Sequence, residues 1–334
     1  MLGVMKVYEM RVLLILGSLL FIVVPAHAQD RAVRQASERP APTSDRPPVG
    51  NGLVLSHVTV LTKAGGSVTG LGKDAFSILD NKQPREITYF SHEDEPLSIA
   101  VLFDLSGSML GGPLSNYDRT RVTMMREHFS QFIQASHPAN EYFVIGFNHQ
   151  VQLIAEGVQG DKALSAISTL LSSNKPKGMT AFYDACYFGL EKVKQGKYLK
   201  HAVLVFSDGQ DTASKRKLND LSRLLKENAV MFFSIDIEGL GSWSARESQD
   251  LLVELAVTTG GQAFSPGKAK ELIAVLNILA FTLRNQYTVG FISESSAKGD
   301  KWRRLKVEVR VPPRSPVKQK DVFVLGREGY YSAQ

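Results

Sequence analysis

Between Asp104 and Ser108 the chain reads DLSGS, one carboxylate and two hydroxyls at alternate positions directly after the apolar run LSIAVL. Asp, Ser and Gly are ordinary turn and helix-cap residues, so this stretch alone describes a strand that ends in a capped turn. Two distant residues alter that reading. Thr180 follows Gly178 at the start of a helical segment, and Asp208 follows the apolar strand AVLVF and Ser207. In open sheets of parallel strands, ligands bind beyond the carboxyl ends of the strands, where the strand order reverses. Three loops at that edge bring together Asp104, Ser106, Ser108, Thr180 and Asp208. The set suits Mg2+, which prefers six oxygens at ~2.1 Å and keeps several of its waters. The hydroxyls of Ser106, Ser108 and Thr180 can ligate without adding charge, while Asp104 and Asp208 hold bound water and balance the cation. Mn2+ accepts the same donors, and nothing in the set attracts a metal that seeks thiols or imidazoles. Asp184 and Asp211 stand close by in sequence as further groups around the ion. Asp211, with Ser214, is also placed to shape its loop or cap the following helix, and Asp184 lies in a first helical turn, where the dipole favours an acid.

The elements that must position these residues begin at Leu97. LSIAVLFD is a continuous apolar run, as expected of a strand covered on both faces. Residues 119–136 follow with Val122, Met125, Phe129, Phe132 and Ile133 at helical spacing. EYFVIGFNHQVQLI reads as two strands, the second short enough for a sheet edge. Helices are expected at about 161–171 and 181–195, then the strand HAVLVFSD, a helix at about 215–228 and the strand VMFFSIDI. A helix at about 246–259, a short strand in GQAFSP and a helix at about 268–285 complete the block. Strands alternating with helices predict an α/β fold, a doubly wound and mostly parallel sheet with helices on both faces. β-rich segments flank it at residues 51–95 and 286–331. FSILDNKQPREITYF reads as strand, Asp-Asn turn and strand, with Pro84 where a missing N–H does least harm. The economical expectation is a small β-domain into which the α/β block is inserted, with two independent β appendages as the alternative.

With these residues in place, the chain resembles the von Willebrand factor type A domain over about residues 97–285. That family's metal-ion-dependent adhesion site is Asp-x-Ser-x-Ser, then a Thr, then an Asp, in the order found here. The resemblance implies that Ser106, Ser108 and Thr180 bind the metal and that Asp104 and Asp208 act mostly through water. The segments VTGLGKDAFSILDNKQPREITYF before the block and LRNQYTVGF to REGYY after it look like exported bacterial proteins built around one such domain. The implied function is capture of an Asp or Glu side chain of a protein partner at the metal. The alternative is an envelope scaffold in which the ion only rigidifies the loops.

Composition bounds the setting. Lys6 and Arg11 precede a 13-residue apolar stretch, Val12–Val24, and then Ala26-His27-Ala28, the pattern of a secretory signal cleaved after Ala28. Thirteen residues fall short of the ~20 that a spanning helix needs, so the mature protein is expected outside the cytoplasm, periplasmic or secreted, with no membrane span. Residues 29–50 contain four prolines and no large apolar cluster, and read as a disordered spacer. The single cysteine, Cys186, lies in an apolar helical segment and reads as a small buried hydrophobe. The net charge of +6 is concentrated in residues 301–320, with eight Lys or Arg against Glu308. There Leu305, Val307, Val309 and Val311 alternate with Lys306, Glu308 and Arg310, which predicts a strand with one solvated face. Without aromatic interleaving in that segment, nucleic acid is a poor partner. Ser106 has no Gly-x-Ser-x-Gly elbow, Asp104 lacks the second acid two residues on that phosphoryl transfer would want, and no glycine-rich phosphate loop occurs, so catalysis is not expected.

Overall fold

A computed structural model of the chain describes residues 52–63, 65–107, 119–173, 177–236, 245–266, 269–293, 302–313 and 315–331. The expected signal at 1–28, the expected spacer at 29–50 and Ser108 lie outside the described residues. The chain begins with β1 (Leu53–Thr62), β2 (Phe76–Asp80), β3 (Gln83–Arg85) and β4 (Tyr89–Ser91). Then come β5 (Leu97–Asp104), α1 (Arg119–Ala135), β6 (Glu141–Phe147), β7 (Val151–Val158), α2 (Gly160–Ser173) and α3 (Phe182–Val193). β8 (Lys200–Phe206), α4 (Leu218–Glu227), β9 (Val230–Ile235), α5 (Ala245–Thr259), β10 (Ala263–Phe264) and α6 (Ala269–Arg284) follow. The last strands are β11 (Tyr287–Ile292), β12 (Trp302–Val309), β13 (Val322–Leu325) and β14 (Gly329–Tyr331).

The central sheet has the order β10-β9-β8-β5-β6-β7, parallel except for β7, which runs antiparallel to β6. Successive side chains on a strand point to opposite faces, and in β5 both faces are apolar. Leu97, Ile99, Val101 and Phe103 pack with α1, α2 and α6, whereas Ala100 and Leu102 pack with α3, α4 and α5. The same division runs through β8 and β9, which makes three layers, helices over sheet over helices. Phe103 stacks on Phe206 with ring centroids 4.9 Å apart, and Phe129 of α1 leans on both. Each fully buried Leu, Val or Phe contributes about 2 kcal/mol of transfer free energy. Cys186 is fully buried in α3 among these side chains, as the sequence suggested. The sheet's outer strand β7 does lie at the edge, but at eight residues it is longer than its neighbour β6.

Helix α5 shows how local chemistry ends an element against the sheet. Gly260 has φ of +80°, and the N–H of Gly261 donates to the Ala256 carbonyl at 2.9 Å, a left-handed cap that favours glycine. A Cβ on Gly261 would lie 1.9 Å from the Phe232 carbonyl oxygen, so this turn can touch β9 only without a side chain.

Two further antiparallel sheets draw strands from both flanking segments, in the orders β13-β1-β11-β4 and β14-β12-β2-β3. β1 pairs with β11 and β13, while β12 pairs with β2 and β14. Their inward side chains, among them Val58, Phe76, Ile78, Tyr287, Phe291 and Leu305, share one apolar cluster. Residues 76–90 depart from a simple hairpin. The tight turn is centred on Asn81 and Lys82, both at positive φ, one residue later than the expected Asp-Asn turn. After β3, an edge strand that accommodates Pro84, the chain crosses to β4 in the other sheet. On β12, Leu305, Val307 and Val309 are buried and Arg304, Lys306 and Glu308 exposed, the alternation read from the sequence.

The junction between α6 and β11 is fixed by polar groups. Arg284 donates from Nε and Nη2 to the Asp94 carboxylate and from Nη1 to the Ala135 carbonyl. Buried Lys200 donates to the Leu283 carbonyl at 3.1 Å, and its burial lowers its pKa to about 8. Gln286 reaches Thr59 Oγ1 at 3.1 Å.

Asp80 holds the second small sheet. It is fully buried, accepts two hydrogen bonds from Arg303 at 2.9 and 2.7 Å, and meets Arg85 at 3.3 Å. Removing one partner of a buried pair strands the other, so Asp80→Ala is expected to lose about 3 kcal/mol. Urea unfolding monitored by circular dichroism measures this, and a loss under about 1 kcal/mol would show a pair already screened by water.

Candidate metal centre

Asp104 ends β5, between β6 on one side and β8 on the other, at the point where the strand order reverses. Its Oδ1 accepts the backbone N–H of Ser106 at 2.8 Å, which folds the chain back over the end of the strand. Its Oδ2 accepts the Ser207 hydroxyl at 2.6 Å, across to the residue that follows β8. Ser106 is fully buried directly above.

The β8 loop is equally constrained. Ser207 Oγ accepts the Gly209 N–H at 3.1 Å, and Gly209 has φ of +79°. A Cβ there would lie 2.8 Å from Leu252 Cγ, so the turn needs glycine on two counts. Asp208 Oδ1 accepts the Gln210 N–H at 2.9 Å. Its Oδ2 is buried and has no hydrogen-bond partner.

The third loop fits between the other two. Lys177 N–H donates to the Leu105 carbonyl and Gly107 N–H to the Gly178 carbonyl, at 2.9 and 3.0 Å. Gly178 takes φ of +80° there. Thr180, 4% exposed, is held at both backbone ends: its N–H donates to Thr212 Oγ1, and its carbonyl accepts from the N–H groups of Thr212 and Ala213.

Asp211 and Asp184 serve the same clamp. Asp211 Oδ1 accepts the Tyr183 N–H and the Ser214 hydroxyl, so it caps α3 behind it instead of the helix that follows. Ser214 Oγ takes the Asp184 N–H at 3.0 Å. Since α3 begins on Ala181, which offers no side-chain cap, the β8 loop supplies one. The Asp184 carboxylate accepts the N–H groups of Lys215 and Arg216 at 2.9 and 3.0 Å. Ser207 and Thr212 were not singled out from sequence. Ser207 could have been, because its hydroxyl stands immediately after a buried strand, level with Asp104.

Burial raises the Asp104 carboxyl to about 6, the neighbouring charge of Asp208 adds to the rise, and hydrogen bonds from Ser106 and Ser207 oppose it. A buried carboxylate oxygen with no partner carries a desolvation cost of about 1–3 kcal/mol or more. Two buried carboxylates so close, one with an unpaired oxygen, fit a cation. The remaining donors are hydroxyls, and among the described residues no three His, Cys, Asp or Glu side chains gather into a metal-holding group. This chemistry fits a hard divalent ion such as Mg2+ or Mn2+. Asp104, Ser106, Thr180 and Asp208 all stand at this edge.

No curated protein matches the chain. Among solved structures, a von Willebrand factor type A protein from Catenulispora acidiphila shares 12% identity, covering 85% of this chain and 63% of its own at a TM-score of 0.46. Proximal thread matrix protein 1 from the mussel byssus shares 14% identity over 61% of this chain and 49% of its own, with a TM-score of 0.45. A minor pilin from Streptococcus sanguinis shares 11% over 58% and 63%, with a TM-score of 0.44. The chain thus spans about half the length of the mussel protein and under two thirds of the other two. Likenesses this distant carry no functional weight. The family description "von Willebrand factor type A domain" matches residues 98–276, more than half of the chain. Domains of this kind are generally protein-interaction modules and commonly bind a divalent metal. The three-layer sheet and the matched span agree: this chain belongs to the von Willebrand factor type A domain family.

Proposed function

We propose that the protein is an exported, metal-dependent protein-binding module whose metal edge captures an Asp or Glu side chain of a partner outside the cytoplasm. Asp104, Ser106, Ser108, Thr180 and Asp208 are the residues that would hold the ion, Mg2+ or Mn2+. The observation that carries the reading is the buried, unpaired Oδ2 of Asp208 at the switch point, beside the buried carboxylate of Asp104. When bound, a divalent cation supplies an exchangeable, positively charged coordination position that a foreign carboxylate can fill. Ser106 and Thr180 contribute neutral oxygens, so no more than two acids stand against the ion's two charges and an open coordination position is left for a partner's carboxylate. Ser207 bonds the Asp104 carboxylate and Thr212 the Thr180 backbone N–H, contacts that would help to orient both residues toward an ion. Ser106, fully buried and bonded to Asp104, is an ion-holding group and not a nucleophile. Export rests on the signal-like residues 1–28.

The reading gives four expected outcomes. Ten-millimolar Mg2+ or Mn2+ should raise the thermal midpoint over EDTA, since a ligand at 100 times its Kd adds about 2.7 kcal/mol. Asp208→Ala should abolish that response yet lose no more than about 1 kcal/mol in EDTA, because it removes one hydrogen bond, from the Gln210 N–H to Oδ1, together with a buried oxygen that had no partner. A midpoint in native protein that ignores both cations would sink the reading. Ser207→Ala, which leaves the proposed ligands intact, should weaken Mn2+ binding by about ten-fold in calorimetry with a native circular dichroism spectrum. Capture of a protein from envelope extract should need Mg2+, fail in EDTA and fail with Asp104→Ala.

A further inference from the structure

The rim of the metal edge carries charge of the wrong sign for an ion site acting alone. Lys177, Lys215, Arg216 and Lys217 are all exposed, and none of them joins an ion pair recorded among the described residues. Their backbones are tied to the site. Lys177 N–H is bonded to the Leu105 carbonyl beside Ser106. The N–H groups of Lys215 and Arg216 lie on the carboxylate of Asp184, in the first turn of α3, the helix that begins two residues after Thr180. The Arg216 guanidinium covers the Tyr187 ring at 3.6 Å from its centroid, so its charge is held and not waving free. The neighbouring acids Asp184 and Asp211 are turned to backbone N–H groups and Ser214. Next to Thr180, Met179 is 58% exposed, the highest value among the large hydrophobic side chains of the described residues.

Cationic side chains around a cation site oppose the ion by Coulomb repulsion, within a distance that physiological salt does not fully screen. They favour an anionic partner by the same law. An exposed Met gives an adaptable apolar contact beside them. We propose that this rim selects the partner: the captured carboxylate belongs to an acidic protein segment with further Asp or Glu residues for Lys177, Lys215 and Arg216 and an apolar side chain for Met179. The inference rests on the metal-edge reading above and adds a specificity to it.

Two fluorescent dodecapeptides test it, one with four Glu and one Leu, the other with a single Glu among Ser and Gly. In Mg2+ the acidic peptide should bind about ten-fold tighter by fluorescence anisotropy, and the advantage should shrink from 50 to 200 mM salt. The double variant Lys215→Glu/Arg216→Glu should lose that advantage, while its Mn2+ affinity stays equal or rises because repulsion has been removed. Lys177→Glu should act in the same direction should the stacked Arg216 matter to folding. Met179→Ser should weaken the Leu-bearing peptide about three-fold and leave the single-Glu peptide unchanged. Equal binding of the two peptides in Mg2+, or reversal variants that bind them as the parent does, would overturn the rim's role and leave metal capture standing. Acidic-peptide binding that persists in EDTA would overturn its coupling to the metal. Mn2+ binding with no peptide binding would overturn both the rim and the capture reading, and absence of Mn2+ binding would place the failure at the metal edge itself.

Discussion

Everything at the upper edge of the sheet depends on one hydrogen bond between strand ends, from the Ser207 hydroxyl to Asp104 Oδ2. A carboxylate buried to 2% exposure cannot stay charged without partners. Asp104 takes its partners from its own loop and from the next strand, so the ends of β5 and β8 are locked in register. That lock sets the height of Asp208, one residue further on. The third loop is fastened to both of the others, through Gly178 to Gly107 and through Thr180 to Thr212. Three segments distant in sequence are thus bonded into one rim with an oxygen-rich centre, where the buried Oδ2 of Asp208 is left without a hydrogen-bond partner.

The layered core explains why this edge can be so polar. Both faces of β5, β8 and β9 are consumed by helices, so the sheet has no apolar face left to offer. Polar chemistry can appear only where the strands stop. There the chain uses short side chains that fold back on backbone N–H groups, as Asp104 does with Ser106 and Asp208 with Gln210. Asp211 and Ser214 extend the same device by capping α3, whose own first residue cannot. The turn and cap chemistry that makes DLSG look ordinary is therefore compatible with a site at this edge.

What was legible in the sequence was periodicity, and what was not was pairing at long range. LSIAVLFD and HAVLVFSD announce buried strands because both faces are apolar, and the helical spacing of Met125, Phe129 and Phe132 places α1. Those signals sufficed for the sheet, its edge and the positions of Asp104, Ser106, Thr180 and Asp208. The partners of these residues were harder, since a lone Ser207 or Thr212 has no period and its role exists only across a strand gap. Asp211 was read, with Ser214, as shaping its loop or capping the helix ahead; it does bond Ser214 within its loop, but the helix it caps is α3, because sequence proximity hides a loop that turns back. Residues 76–91 failed for a related reason. β3 and β4 lie three residues apart, yet they pair in different sheets, and the choice is made by β2 and by β11, the latter some 200 residues away.

The opposite end of the sheet bears on how the metal edge can respond to a partner. α6 leads into β11 with no slack, and its last turn is held by Arg284 on Asp94, by Lys200 on the Leu283 carbonyl and by Gln286 on Thr59. Lys200 is almost wholly buried, and burial lowers its pKa to about 8 against the opposing charges of Glu95 and Asp94. A shift of α6 along its axis would break the carbonyl contact and leave a buried ammonium unpaired, a cost of several kcal/mol. A partner's carboxylate at the metal edge could drive such a shift only if its affinity for the shifted state exceeded its affinity for this one by that amount. The loops above have no comparable slack either, since each is bonded to its neighbours through backbone groups. On the proposed reading, selection at this surface falls to the exposed side chains of the rim.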